Sequence, residues 1–263
     1  MSAQPPRNPL TVTFAVWNAL LLREALSRLF GRRAAWFWLL FEPIFHVAYL
    51  MLLFTVIRIR HVGGIATPSW LMLGLLAYFM FEHAQRQGMM AIQFNRALFV
   101  YRQVLPVDAV LVRVALEGTL MVVVSLAMLA GGGLLGLQVL PADPLLVLTA
   151  MLGLWLFGLG LGLCSSVVAE LSPEGGKLWL MMMRPLYMIS GVVFPIAAVP
   201  LPYRDWLAVN PLVHGLDAVR LGFAPYYHEV SGLSIAYLYE CAIVFLLLGL
   251  ILHVALARRI VAQ

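Results

Sequence analysis

The residues with chemistry to offer are ionisable side chains set inside long apolar runs. Glu42 and His46 stand four positions apart, as do Glu82 and Arg86, and Arg113 and Glu117. That spacing puts each pair on one helix face. Charge in lipid is costly, so such groups point to a substrate path or a partner surface. For Glu82 with Arg86, and Arg113 with Glu117, mutual neutralisation near the cytoplasmic interface is the competing explanation. Glu42, His46 and Arg184 are expected to face the bundle interior or a second protomer. So is Pro185, whose missing N–H frees a carbonyl and can kink the helix. With Tyr187 they form the channel-side candidates. Nucleophilic catalysis is disfavoured, because no strand–turn–helix elbow surrounds Ser165, Ser166 or Ser190. No HExxH pair suggests a metal. The glycine runs at Gly131–Gly133 and at Gly158, Gly160 and Gly162 lack the Lys-Ser/Thr ending of a phosphate loop. Close helix packing explains them better. The chain is expected to have no catalytic residues, to hold no cofactor and to leave ATP hydrolysis to a partner.

The elements that must carry these residues follow from composition. Of 263 residues, 63% are apolar and 11% charged, and the mean hydropathy is +0.94. A soluble domain carries roughly a quarter charged residues, so the solvent for most of this chain is lipid. Six stretches reach the roughly 20 residues a crossing helix needs: 36–57, 71–92, 109–136, 145–169, 178–199 and 236–257. The second is the most polar, with Glu82, His83, Gln85 and Arg86 in its later half. Ten Lys and Arg residues (Arg7, Arg23, Arg28, Arg32, Arg33, Arg96, Arg102, Lys177, Arg258 and Arg259) then share one side, and four (Arg58, Arg60, Arg204 and Arg220) the other. The positive-inside rule assigns both termini to the cytoplasm. The net charge of +5 flanks apolar spans and does not cover one face, which argues against nucleic acid. Cys164 and Cys241 lie within apolar runs, with no disulfide or metal spacing. The polar opening, Met1–Pro9, is unlike a secretory signal. The expected fold is an all-α membrane domain over 1–263.

Three segments between or before the spans could carry function. Residues 13–33 interleave leucines with Arg23, Glu24, Arg28, Arg32 and Arg33. This reads as a basic amphipathic helix in the cytoplasmic leaflet. It is either a topological anchor or a receiving surface for an anionic lipid-linked substrate. Residues 94–108 mix aromatics with Arg96 and Arg102, and read as a short helix exposing Leu98, Phe99 and Tyr101 to a soluble partner. Residues 200–235 contain Asn210-Pro211, a cap followed by proline at the first helical position. A half-helix with His214, Asp217 and Arg220 follows, as a periplasmic gate or a simple outer cap.

An ordered set of segments resembles the ABC-2 type permeases. Within them it is most similar to the transmembrane subunit of group 2-type capsular polysaccharide exporters. The segments are LLREALSRLFGRR (Leu21–Arg33), LFEPIFHVAYLMLL (Leu40–Leu53), ALFVYRQVLPVDAVLVRVALE (Ala97–Glu117), RPLYMISGVVFPIAAVP (Arg184–Pro200) and NPLVHGLDAVR (Asn210–Arg220). The resemblance implies an inner-membrane homodimer lining a path for a lipid-linked acidic polysaccharide. O-antigen, teichoic acid, lipid and drug permeases share the architecture and are the alternatives. Two cytoplasmic ATPase subunits, which bind ATP and Mg, would dock on Asn95, Leu98, Phe99, Tyr101, Arg102, Pro106 and Asp108, with Glu174 on the next inner loop. Arg23, Arg28, Arg32 and Arg33 would serve substrate entry, and Asn210, Pro211, His214, Asp217 and Arg220 the gate. A periplasm-spanning co-polymerase and an outer-membrane pore would complete the export route.

Overall fold

The computed structural model describes residues 9–30, 35–56, 61–101, 103–228, 230 and 232–261. Proline opens most of its long helices. Thr67-Pro68 begins α3 (Thr67–Asn95) and Pro106 begins α4 (Pro106–Leu134). Pro144 begins α5 (Pro144–Leu171), Pro173 begins α6 (Pro173–Ile189), and Pro211 begins α8 (Pro211–Phe223). A proline there forfeits an N–H that has no intrahelical partner anyway. Three of these starts are capped by side chains. Asp143 accepts from Leu146 N at 3.0 Å, Ser172 from Gly175 N at 3.1 Å and Asn210 from Leu212 N at 3.1 Å. The chain is completed by α1 (Pro9–Phe30), α2 (Ala35–Val56), the short α7 (Tyr203–Leu207) and α9 (Ile235–Val261). A two-residue hairpin, β1 (His61–Val62) and β2 (Ile65–Ala66), turns through Gly63 and Gly64 at positive φ. The sequence reading, all helical, does not contain it.

A helix covers each of the six apolar stretches, with two corrections. The stretch 178–199 is not one helix. Its helix starts earlier and stops at Ile189, and the chain continues through Gly191 (φ 74°) into a 3-10 turn at Ile196–Ala198. Apolarity runs on past Ile189, but Ser190-Gly191, Pro195 and Pro200 deny the backbone a helix. The second correction concerns 94–108. In place of a free-standing helix, α3 runs to Asn95, a 3-10 turn follows at Arg96–Leu98, and α4 starts at Pro106. Among the described residues, α4, α5 and α9 are long and apolar enough to cross a membrane.

The bundle is centred on α3 and α5, with α9 against the other side of α5. The glycines of α5 explain how close these helices come. A Cβ at Gly158 would lie 2.6 Å from the carbonyl oxygen of Phe81 on α3, and one at Gly160 would lie 2.8 Å from Leu246 N on α9. Small residues on two faces let α5 touch two backbones at once. Around this axis a large cluster, including Phe81, Leu154, Phe157, Leu212 and Leu238, fills the middle of the bundle.

Candidate functional site

Three helices, α2, α3 and α6, wall an open cleft of about 520 Å³. Its lining combines charge and rings: Glu42 and His46 from α2, Tyr78, Phe79, Glu82, His83 and Arg86 from α3, and Arg184 and Tyr187 from α6. Of the channel-side candidates chosen from sequence, Glu42, His46, Arg184 and Tyr187 therefore meet in one place. His46 Nε2 lies 3.2 Å from the Tyr187 hydroxyl. The rings form a continuous strip, with His46 against Phe79 at 5.5 Å between centroids and Tyr78 against Tyr187 at 5.1 Å. Glu82 and Arg86 pair loosely at 3.9 Å, with Arg86 half exposed. A second groove of about 660 Å³, lined by Trp38, Phe41, Phe45, Tyr49 and Met188, shares Glu42, His46 and Tyr187 with the cleft. The cleft offers ring faces, donors and acceptors for a polar ligand; the groove beside it is apolar.

Behind the cleft lies a buried ion cluster. Arg113 of α4 pairs with Glu24 of α1. Arg28 of α1 pairs with Glu117 of α4, and Glu117 also takes His83 Nδ1 at 2.8 Å. The Gln87 side-chain oxygen accepts from both Arg28 and Arg113. Glu117 and Arg113 thus do not neutralise each other along α4, as their spacing suggested. Each takes a partner on α1, because α1 packs alongside α4 and offers opposite charges at matching heights. Glu82 and Arg86 do pair as their spacing predicts.

The same contacts reorient α1. Trp17 Nε1 donates to Asp108 at 2.8 Å, Glu24 meets Arg113 and Arg28 meets Glu117, so α1 runs parallel to α4. Its outward stripe is apolar, with Phe14, Leu22, Leu26 and Phe30 exposed. The charged face therefore turns inward, the reverse of a helix laying arginines on lipid phosphates. Arg28 is committed to protein partners, and Arg23 donates to buried Asn95. Arg32 and Arg33 lie outside the described residues.

The docking candidates divide in the same way. Tyr101 is exposed and Leu98 half-buried, and Glu174 is exposed in the first turn of α6. Phe99, expected on the surface, is 8% exposed and packs with Ile92, Val110 and Val167. Asn95, Pro106 and Asp108 are buried. Asp108 accepts from Leu105 N at 3.1 Å and from Trp17, which makes it a local tie. The 3-10 turn is too short to hold every large group outward. Arg102 lies outside the described residues. Phe94, Val100 and Leu105, absent from the sequence selection, are exposed apolar groups here, near an Arg96–Glu170 ion pair.

At the opposite end, the gate candidates are fastened from within. Asn210 caps α8 and donates to Ser190 Oγ at 2.9 Å. Ser234 N lies 2.9 Å from His214 Nδ1, and His214 Nε2 lies 2.7 Å from Ala208 O. Asp217 accepts from the Tyr227 hydroxyl at 2.7 Å, and burial pushes that phenol up to about 12. Arg220 donates to Gly191 O at 3.0 Å and to Val192 O, and lies 3.7 Å from the Trp70 ring centroid. Pro211 occupies the first helical turn.

Sequence reasoning passed over Trp17 and Gln87. It also passed over His253, whose Nε2 lies 3.0 Å from Ser166 Oγ in the packing of α5 and α9. A histidine within a run as apolar as α9 was the available signal for the last.

These features agree with what the chain is similar to. The model of the ABC-2 type transporter family matches residues 16–224. The polysialic acid transport protein KpsM of Escherichia coli is 34% identical over 237 residues, covering 90% of this chain and 91% of the relative. The capsule polysaccharide export inner-membrane protein CtrC of Neisseria meningitidis is 26% identical, covering 92% and 91%. Its Haemophilus influenzae counterpart BexB is also 26% identical, covering 94% and 92%. A match to four-fifths of the chain, with end-to-end similarity beyond it, means that this protein belongs to the ABC-2 type transporter family.

Proposed function

We propose that this chain is the membrane-spanning subunit of an ATP-driven exporter that carries capsule polysaccharide across the bacterial inner membrane. The end-to-end similarity to capsule exporters carries the reading. The cleft supports it physically. Its ring strip suits the apolar faces of sugars, and Arg86 and Arg184 suit acidic groups on them. Two copies would face one another across their clefts and close a polar path away from lipid. Six spans, α2 to α6 and α9, leave both termini in the cytoplasm. Two ATPase subunits, which bind ATP and Mg, dock at the turn holding Val100, Tyr101 and Leu105 and at Glu174. The outer assembly around α8 stands at the periplasmic exit, toward a co-polymerase and an outer-membrane pore. The glycan arrives on a lipid anchor.

The test uses a capsule-producing host that depends on this chain. Arg86→Glu and Arg184→Glu leave the chain in the membrane at normal levels and accumulate polysaccharide in the cytoplasm. Normal surface capsule in both variants removes the cleft from the path.

A further inference from the structure

Among the described residues, His83 alone both lines the cleft and bonds to the ion cluster beneath α1. One carboxylate stands at each of its ring nitrogens. Nδ1 meets Glu117 at 2.8 Å, and Nε2 lies 3.6 Å from a Glu82 oxygen, an ion-pair distance too long for a hydrogen bond. A carboxylate only accepts, and a ring with an N–H at both nitrogens is an imidazolium. Flanked by two anions, His83 is favoured as a cation before any ligand arrives.

The sign of the cleft follows from the groups around that ring. Among the described residues they are Glu82 and Arg86 on α3, Glu117 and Arg113 on α4, Glu24 and Arg28 on α1, Glu42 on α2 and Arg184 on α6. Four arginines balance four glutamates, so the imidazolium is the surplus charge. The other titratable groups of the lining add none. His46 faces the Tyr187 hydroxyl, which can donate to a neutral ring, and Tyr78 and Tyr187 are neutral phenols. The balance also holds in parts. Glu24 with Arg113, and Glu117 with Arg28, pair behind the wall, while Glu42 and Glu82 match Arg86 and Arg184 within it. Glu82 lies 3.6 Å from His83 and 3.9 Å from Arg86, so the ring shares Glu82 and leaves Arg86 half exposed for a ligand. Without the charge on the ring, Glu82 would turn to Arg86 and the lining would be neutral.

We propose that the fixed charge of His83 makes the cleft electropositive and so sets its preference for acidic over neutral sugars. The reading rests on the cleft being the glycan path. It makes His83 a specificity-determining residue that acts through its field and through Glu82, with no bond to the glycan required.

The test measures the sign of the cleft directly, so it needs no bound glycan. In full-length protein in lipid nanodiscs, with Cys164 and Cys241 replaced by alanine, Met183→Cys puts a thiol in the cleft lining. That thiol is modified by an anionic sulfonatoethyl, a cationic trimethylammonioethyl and a neutral methyl thiosulfonate. Each rate is divided by that of the same reagent with mercaptoethanol. The neutral reagent reports access, which a merely structural change would alter for all three. With His83 present, the anionic reagent is expected to be favoured several-fold over the cationic one. His83→Gln, which still donates to Glu117 but carries no charge, should bring the two rates together. His83→Lys, which keeps a cation, should restore the preference. A parent cleft that takes both reagents equally, or excludes the sulfonate, overturns the proposal, and this comparison stands even where the variants fail to fold. An undiminished preference for the anion in His83→Gln overturns it as well. Either result leaves the glycan path to the Arg86 and Arg184 export assay, so the two readings fail separately.

Discussion

Arg220 joins three parts of the molecule at the α8 end of the bundle, since its guanidinium stacks on Trp70 of α3 while donating to the carbonyls that follow α6. Lysine keeps the charge but has neither the fork nor the flat face. Arg220→Lys is therefore expected to lower stability by about 1–3 kcal/mol, read as a lower melting temperature in detergent. The Tyr227 phenol adds a pH signature. Its ionisation is raised from 10.0 to about 12 by burial. The fold thus favours the neutral phenol, and this stabilisation is complete below pH 10 and lost as pH climbs through 12. Tyr227→Phe should lose the bond to Asp217 and also this alkaline loss, seen by comparing melting at pH 9 and 11. Asn210 as a cap was legible in Asn-Pro, because cap and first-turn proline are local chemistry. His214 was not, because its partners Ala208 and Ser234 are carbonyl and amide groups that no side-chain pattern announces.

At the scale of elements, helix existence was legible and pairing was not. Asn210 with Pro211 marked the start of α8 directly, whereas Asp143-Pro144 and Ser172-Pro173, which open α5 and α6 in the same way, were not read as caps. The end of α6 was missed because hydropathy counts apolar side chains and is blind to what Ser190-Gly191 does to the backbone. Likewise α1 was read with its face reversed. Its alternation of leucine and charge fixes two faces, but which one meets lipid depends on Glu24 and Arg28 finding Arg113 and Glu117 on another helix. This cross-pairing can be measured. Arg113→Ala removes the nearer cation from buried Glu24, leaving it Arg28 at 3.7 Å, and should cost up to about 3–5 kcal/mol. Glu24→Gln combined with Arg113→Gln should cost less than the two single changes added together, because each single change strands a charge. Additive losses in a melting series would mean that the pair does not hold α1.

For the whole molecule, the decisive fact is that the cleft lies beside an exposed apolar face of α2. Glu42, Glu82, Arg86 and Arg184 share a wall whose neighbours on α2, among them Phe41, Phe45 and Tyr49, are exposed apolar groups. A bilayer accepts those rings but charges the chain heavily for the ion-bearing wall, by about 2.5–3.5 kcal/mol for a single central charge on the insertion scale. A lone copy in lipid would carry that cost several times over. A second copy laid across the same face would replace lipid with polar groups and a water-filled path, and cover the rings of α2 as well. The contact would be isologous, so one position meets itself across the two-fold axis. Single cysteines placed at Phe45 or Tyr49 in a Cys164→Ala, Cys241→Ala background are therefore expected to form disulfide-linked dimers in native membranes under mild oxidation. Cysteines at Leu148 or Val244, exposed on α5 and α9 away from the cleft, should stay monomeric. Crosslinking at the second pair and none at the first would move the interface to the opposite side of the bundle and leave the cleft facing lipid. Crosslinking at the α2 positions would instead join the two clefts into one passage, with His83 and the ion cluster of each copy set just behind its wall.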